Sequence, residues 1–181
     1  AISQVYWTAD VTKILNTPQS KNGGRIGLEI LLEVMAQQLQ DIVTLVRGKL
    51  TKNDKKKVGA LVVMDVHSRD VQTMMIAEDV NFEHNFQWIS QLRYYWETIE
   101  KATCTKEQLN NLNSKVGDAY LQARIVNARL TYGYEYLGSS MRLAATPLTD
   151  RCYRTMMGAV ALQYGGAPEG PAGTGKTETV K

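Results

Sequence analysis

Apolar residues at Leu28, Leu31, Leu32, Met35, Leu39, Ile42 and Leu45 or Val46 recur at the i, i+3, i+4, i+7 spacing of a single helical face. The spacing predicts a helix, with Gly23-Gly24 marking its start and Gly48 its end. A second helix is predicted from Asp54 to about Glu78. Along it Val58, Leu61, Val62, Asp65, Val66, Arg69 and Val71 lie close to one side, and Asn53 or Asp54 can accept a hydrogen bond from the first turn. A short loop separates the two helices, so they are expected to pack as a hairpin.

The run NFQWISQLRYYWE, from Asn85, places Phe86, Ile89, Leu92 and Tyr95 or Trp96 on one further stripe, with Trp88 and Tyr94 alongside. Rings bury the most area per residue, so this stripe reads as core, and residues 28–97 read as a helical bundle. From Thr98 to Asp118 the chain turns polar, an excursion with room for one short helix. The period then changes: YLQARIVNARLTYGYEY alternates and is rich in β-branched and aromatic residues, which predicts strand. Gly138-Ser139-Ser140 reads as a turn and divides the chain into residues 1–138 and 139–181. Beyond it Pro147 holds Thr146 extended, Thr149 is the expected N-cap, and Asp150 falls in the first turn, where a carboxylate suits the helix dipole. Leu148, Tyr153, Met156, Met157 and Val160 form the face of this helix, which Gly165-Gly166 is expected to end.

Composition narrows the class. With 181 residues, 44% hydrophobic and 22% charged, the chain can bury one good-sized core and has none of the bias of a disordered or fibrous protein. A net charge of +3 is mild, and the basic residues are scattered apart from Lys52, Lys55, Lys56 and Lys57, so no nucleic-acid partner is expected. Those lysines read as a solvated turn ahead of a helix. Every long apolar segment carries charges, so no membrane span is expected, and the N-terminus has no signal-peptide pattern. Cys104 and Cys152 are too few and too far apart for a disulfide framework, which suits a reducing compartment; Cys152 reads as a small buried hydrophobe. His67 and His84 lack a second ligand at metal spacing and read as structural or exposed.

The chemistry gathers near the C-terminus. Gly170 to Thr177 reads Gly-Pro-Ala-Gly-Thr-Gly-Lys-Thr, the pattern G-x-x-x-x-G-K-[ST] of a phosphate-binding loop. Glycines permit turns that aim successive N–H groups at phosphate oxygens, and a lysine neutralises charge the amides cannot. Lys176 is thus expected on the β- and γ-phosphates of ATP or ADP and the Thr177 hydroxyl on Mg²⁺, with a helix from about Lys176 adding its positive end. Hydrolysis also needs carboxylates for metal and water and an arginine from a neighbour. None can lie in the few residues that follow, so a segment of a longer polypeptide, holding no catalytic residue of its own, is expected.

The words around the loop are more specific. YGYEYLGSSMRLAATPLTDRCYRTMMGAVALQYGGAPEGPAGTGKTE resembles the start of the first AAA+ module of dynein heavy chains, and WISQLRYYWE with DVHSRDV resembles the last helices of the dynein linker before it. Ala167-Pro168-Glu169 is similar to the axonemal branch. The resemblance covers nearly the whole chain. It implies a mainly α fold, a helical linker bundle with a short β segment followed by the N-terminal part of an α/β P-loop module. It also implies an adenine pocket at Leu143, Pro147, Leu148 and Thr149, and phosphate contacts at Gly170, Gly173, Thr174, Gly175, Lys176 and Thr177, with Glu178 beside them. Ala144-Ala145 departs from the larger β-branched residues usual there. The implied whole is an ATP-driven microtubule motor of the axoneme of cilia and flagella, in the cytoplasm and cytoskeleton, working with other heavy, intermediate and light chains. Two other readings compete with it. One is a non-motor P-loop ATPase or kinase with a helical N-terminal domain, in which Glu135, Asp150 and Glu178 would be the first catalytic candidates. The other is a helical partner-binding module with an idle loop.

Overall fold

A computed structural model describes residues 1–98, 118–136, 138 and 144–180. Its order is α1 (Ile2–Leu15), a 3₁₀ turn (Gln19–Lys21), α2 (Gly24–Arg47), α3 (Lys52–Ala77), α4 (Phe86–Ile89), β1 (Arg93–Thr98), β2 (Ala119–Ile125), β3 (Ala128–Thr131), α5 (Pro147–Ala161) and α6 (Lys176–Val180). The fold is mainly helical, with one small antiparallel sheet in the order β1-β2-β3. No helix among the described residues is long and apolar enough to cross a membrane.

The α2–α3 hairpin is as its pattern predicts. The cap of α3 is Thr51, however, whose side chain accepts from the Asp54 N–H at 3.2 Å, and the lysine cluster lies inside the first turns of α3 rather than before it. Among the described residues the hairpin buries side chains at one end. Gly24, Gly27 and Leu28 are the buried residues of α2, and Ser68, Val71, Gln72 and Met75 those of α3, all near the end where α1 joins them. At Gly27 α1 comes so close that a Cβ would stand 2.6 Å from Ile14 Cγ2 and 2.4 Å from the Asn22 carbonyl oxygen, so no side chain fits.

α1 was not expected, because its buried face mixes polar residues with apolar ones: Gln4, Trp7, Thr8, Val11 and Leu15. Each polar member has a partner. Gln4 Nε2 donates to Ser68 Oγ at 3.0 Å, Trp7 Nε1 to Gln72 Oε1 at 3.4 Å, and Thr8 Oγ1 accepts from the Tyr94 N–H at 3.1 Å. Gln72, wholly buried, also donates through Nε2 to the Leu28 carbonyl at 2.7 Å, so one amide binds α1, α2 and α3 together. Around it pack Trp7, Val11, Leu15, Leu28, Val71, Met75, Val80 and Trp88, with Trp7 edge-on to Trp88 at 5.3 Å between centroids.

The aromatic run corrects the expected bundle. Only Phe86–Ile89 is helical; Arg93–Thr98 is a strand, so residues 28–97 are not wholly helical. Trp88 is fully buried, whereas Phe86 and Trp96 are 60% and 59% exposed, so the stripe expected through Phe86 and Trp96 is not the core. A short apolar run satisfies helical and strand periods alike, and pairing with β2 (Tyr94 with Ala123, Trp96 with Leu121) decides between them. The downstream strand is a hairpin, not a single strand. β2 and β3 turn through Val126 and Asn127, with Val126 at φ 49 and its N–H donating to the Ile89 carbonyl at 2.7 Å. The polar excursion, Cys104 and the Ser139-Ser140 turn lie outside the described residues.

Replacing Gln72 with Leu removes both bonds and leaves Trp7 Nε1 without its partner. We expect a loss of about 2 kcal/mol in urea unfolding, against no more than about 0.5 kcal/mol for exposed Gln38→Leu.

Candidate nucleotide-binding loop

Two helix starts build the site. The first is a capping box: Thr146 Oγ1 accepts from the Thr149 N–H at 3.3 Å, and Thr149 Oγ1 accepts from the Thr146 N–H at 2.8 Å. Thr146 is therefore the cap of α5 and Pro147 its first residue, where a missing N–H costs nothing; the cap expected at Thr149 lies three residues too late. The helix also ends earlier than Gly165-Gly166. Gln163 takes the left-handed turn at φ 62, and the Tyr164 N–H closes on the Ala159 carbonyl at 2.8 Å.

The second start is the loop 170–177. Gly170, Gly173 and Gly175 have φ of 153, 79 and 78, and a Cβ at Gly173 or Gly175 would meet nothing within 4 Å, so conformation rather than crowding requires glycine. α6 opens at Lys176 as expected. The lysine folds back over its own loop: Nζ donates to the carbonyls of Gly170 at 2.9 Å and Pro171 at 2.5 Å, and lies 3.4 Å from Thr174 Oγ1. Thr174 Oγ1 in turn donates to the Pro171 carbonyl at 2.9 Å. The Thr177 side chain is exposed, and the Thr179 N–H and hydroxyl both return to the Gly175 carbonyl at 2.9 Å. Glycine-rich backbone beside one ammonium suits a phosphate chain, and the Thr177 oxygen suits a hard cation such as Mg²⁺.

Of the expected adenine residues, Pro147, Leu148 and Thr149 form the first turn of α5. Leu143 lies outside the described residues, Leu148 is 72% exposed, and the Thr149 hydroxyl is engaged in the capping box. Pro147 lines a cleft of about 470 Å³ that also takes in Met74 of α3, Phe86 of α4 and Asp150 and Arg154 of α5. Across this cleft His67 Nε2 stands 3.7 Å from Asp150 Oδ1. Burial pushes the Asp150 carboxyl upward from its ordinary value, and the cations of His67 and Arg154 oppose that. Sequence reasoning missed this pair, since its members lie on helices whose contact no local pattern reports. His84 is exposed beside Glu83 at 3.8 Å. Cys152 is exposed as well, contrary to the expected buried thiol, because it lies on the solvent side of α5.

A glycine loop folded about its lysine and opening a helix, behind a proline-started capped helix, defines an ATP-binding segment of the P-loop class. Residues 132–181 match the family model described as the hydrolytic ATP binding site of dynein motor region. Across 99% of its length the chain is 48% identical to dynein axonemal heavy chain 12 of Mus musculus and 45% identical to dynein axonemal heavy chain 3 of Homo sapiens. It is 47% identical over 98% of its length to dynein axonemal heavy chain 1 of Mus musculus. The chain belongs to the axonemal dynein heavy chain family, and it spans about 5%, 4% and 4% of these three relatives.

The glycine geometry makes opposite forecasts for one substitution. Gly175→Ala forces a side chain to φ 78 and should weaken ATP binding about tenfold, at a strain of about 1–2 kcal/mol. Gly59→Ala, in the interior of α3 with open space around it, should raise the unfolding free energy by about 0.5–1 kcal/mol and leave ATP binding unchanged. Isothermal titration and urea unfolding read the two effects.

Proposed function

We propose that this chain is the junction of an axonemal dynein heavy chain at which the end of the linker, residues 1–138, meets the start of the first AAA+ module, residues 139–181. The observation that carries this reading is the loop folded around Lys176 at the mouth of α6, inside the stretch that matches the dynein ATP site. Gly170, Gly173, Thr174, Gly175, Lys176 and Thr177 hold the phosphates of ATP or ADP, Thr177 holds Mg²⁺, and Glu178 stands at the first turn of α6. Leu143, Pro147, Leu148 and Thr149 border the adenine. Bound nucleotide supplies the phosphoryl group whose hydrolysis drives the motor. The catalytic carboxylates and arginine come from other parts of the heavy chain. The whole protein then acts as a minus-end-directed microtubule motor of the ciliary and flagellar axoneme, with intermediate and light chains and further heavy chains as partners.

In this reading the body that moves is the assembly of α1, α2, α3, α4 and the sheet, rather than a helical bundle of residues 28–97. The bend lies around Gly133, which meets open space, and Gly138, which sits at φ 74.

Lys176→Ala in the full-length heavy chain should abolish nucleotide binding at this site and stop microtubule gliding, since a charge-assisted contact contributes about 1.5–3 kcal/mol. Gliding at normal velocity would overturn the assignment. Distances between labels at Leu28 and Met75 should hold constant across nucleotide states, while distances from either to Tyr153 should change. The reverse pattern would sink the lever reading.

A further inference from the structure

α5 touches the rest of the protein in two ways. One flank leans on β2 and β3. Its first turn faces α3 across an open cleft that Val71, Met74, Phe86 and Pro147 line with apolar surface, and there His67 stands against Asp150. The two side chains keep only 22% and 16% of their exposure, although they stand on the two sides of the proposed junction. Asp150 is not needed for the cap, which Thr146 and Thr149 complete between themselves. A half-buried carboxylate without a cation is unfavourable, so Asp150 depends on the charges that face it.

Those charges are few. From α3 and its C-cap the cleft receives His67, Asp70 and Glu78; Asp70 is engaged by Arg69 at 2.8 Å, and Glu78 accepts from Gln87 Nε2 at 2.6 Å. From α4 and the residues after it come Phe86, Gln87, Ser90 and Gln91, all uncharged, and from α5 come Asp150 and Arg154. Arg154 rides on the same helix as Asp150, so its attraction for Asp150 does not join that helix to α3. His67 is the cation that faces Asp150 from α3.

We infer that His67 is a positioning residue: protonated, it holds Asp150, and through α5 the loop 170–177, against the helical part of the chain. The inference rests on the reading of that loop as the nucleotide site. A cation at position 67 attracts the Asp150 carboxylate and a neutral side chain there does not, so the hold depends on charge at that position.

The test uses the full-length heavy chain, without nucleotide, and follows amide exchange of residues 151–161 in wild type and variants. His67→Gln and Asp150→Asn should each lower the protection about two- to fivefold, the range of a partly exposed ion pair, and the double variant should lower it no further. His67→Lys should keep the wild-type protection, and adding Asp150→Asn should remove it. In steady-state ATP hydrolysis the same variants should move KM and leave kcat unchanged. Wild-type protection in His67→Gln would overturn the inference, as would a lysine effect indifferent to Asp150. Protection that follows His67 while KM does not would overturn the positioning role. If Lys176→Ala left nucleotide binding intact, the nucleotide reading would fail instead, and the exchange measurements would still decide whether His67 holds α5.

Discussion

One buried amide organises the helical part of this chain. Gln72 reaches α1 through Trp7 and α2 through the Leu28 carbonyl, and every wholly buried apolar side chain of α1, α2 and α3 lies around that junction. Hydrophobic burial supplies the drive for such a cluster but little direction, because apolar contact is indifferent to small rotations of a helix about its axis. A buried amide is not indifferent, since a mismatched turn would leave a donor and an acceptor unpaired. The register of three helices is thereby set at one point. Away from it, among the described residues, the α2–α3 hairpin keeps Leu45 at 53% and Val34 at 48% exposure.

The sequence disclosed elements in proportion to how local their causes are. α2 and α3 carry a long apolar period, and their limits agree with it to within a few residues. α1 carries the same period with glutamine and threonine at core positions, so its apolar signal is thin until the partners Ser68, Gln72 and Tyr94 are known. β1 reads as helix in the sequence because six residues of mixed aromatic and polar character fit either period, and the deciding cause is a strand more than twenty residues away. The start of α5 was displaced by three residues because Thr146 and Thr149 can each cap, and the box uses both.

The site divides in the same way. The loop was legible residue by residue, since its glycines, lysine and threonine act on their immediate neighbours and the left-handed backbone at Gly173 and Gly175 follows from the residue type. The exposure of Cys152 and the facing of His67 and Asp150 depend on how α5 settles against α3 and the sheet, which no spacing records. Family likeness supplied what neither periodicity nor geometry holds, namely that a nucleotide loop and a helical body of this kind occur together in one axonemal heavy chain.

The three-stranded ribbon stands between the core and the chain that leaves toward the loop. β3 runs antiparallel to β2, and the turn joining them is fastened to α4 by the Val126 N–H. A tension transmitted along β3 from residue 131 therefore pulls parallel to its strand and away from a fixed turn. The ladder bonds are then loaded side by side, in shear, instead of being opened one after another like the teeth of a zip. Four residues of strand in that arrangement resist such a pull together, because their ladder bonds must yield at once.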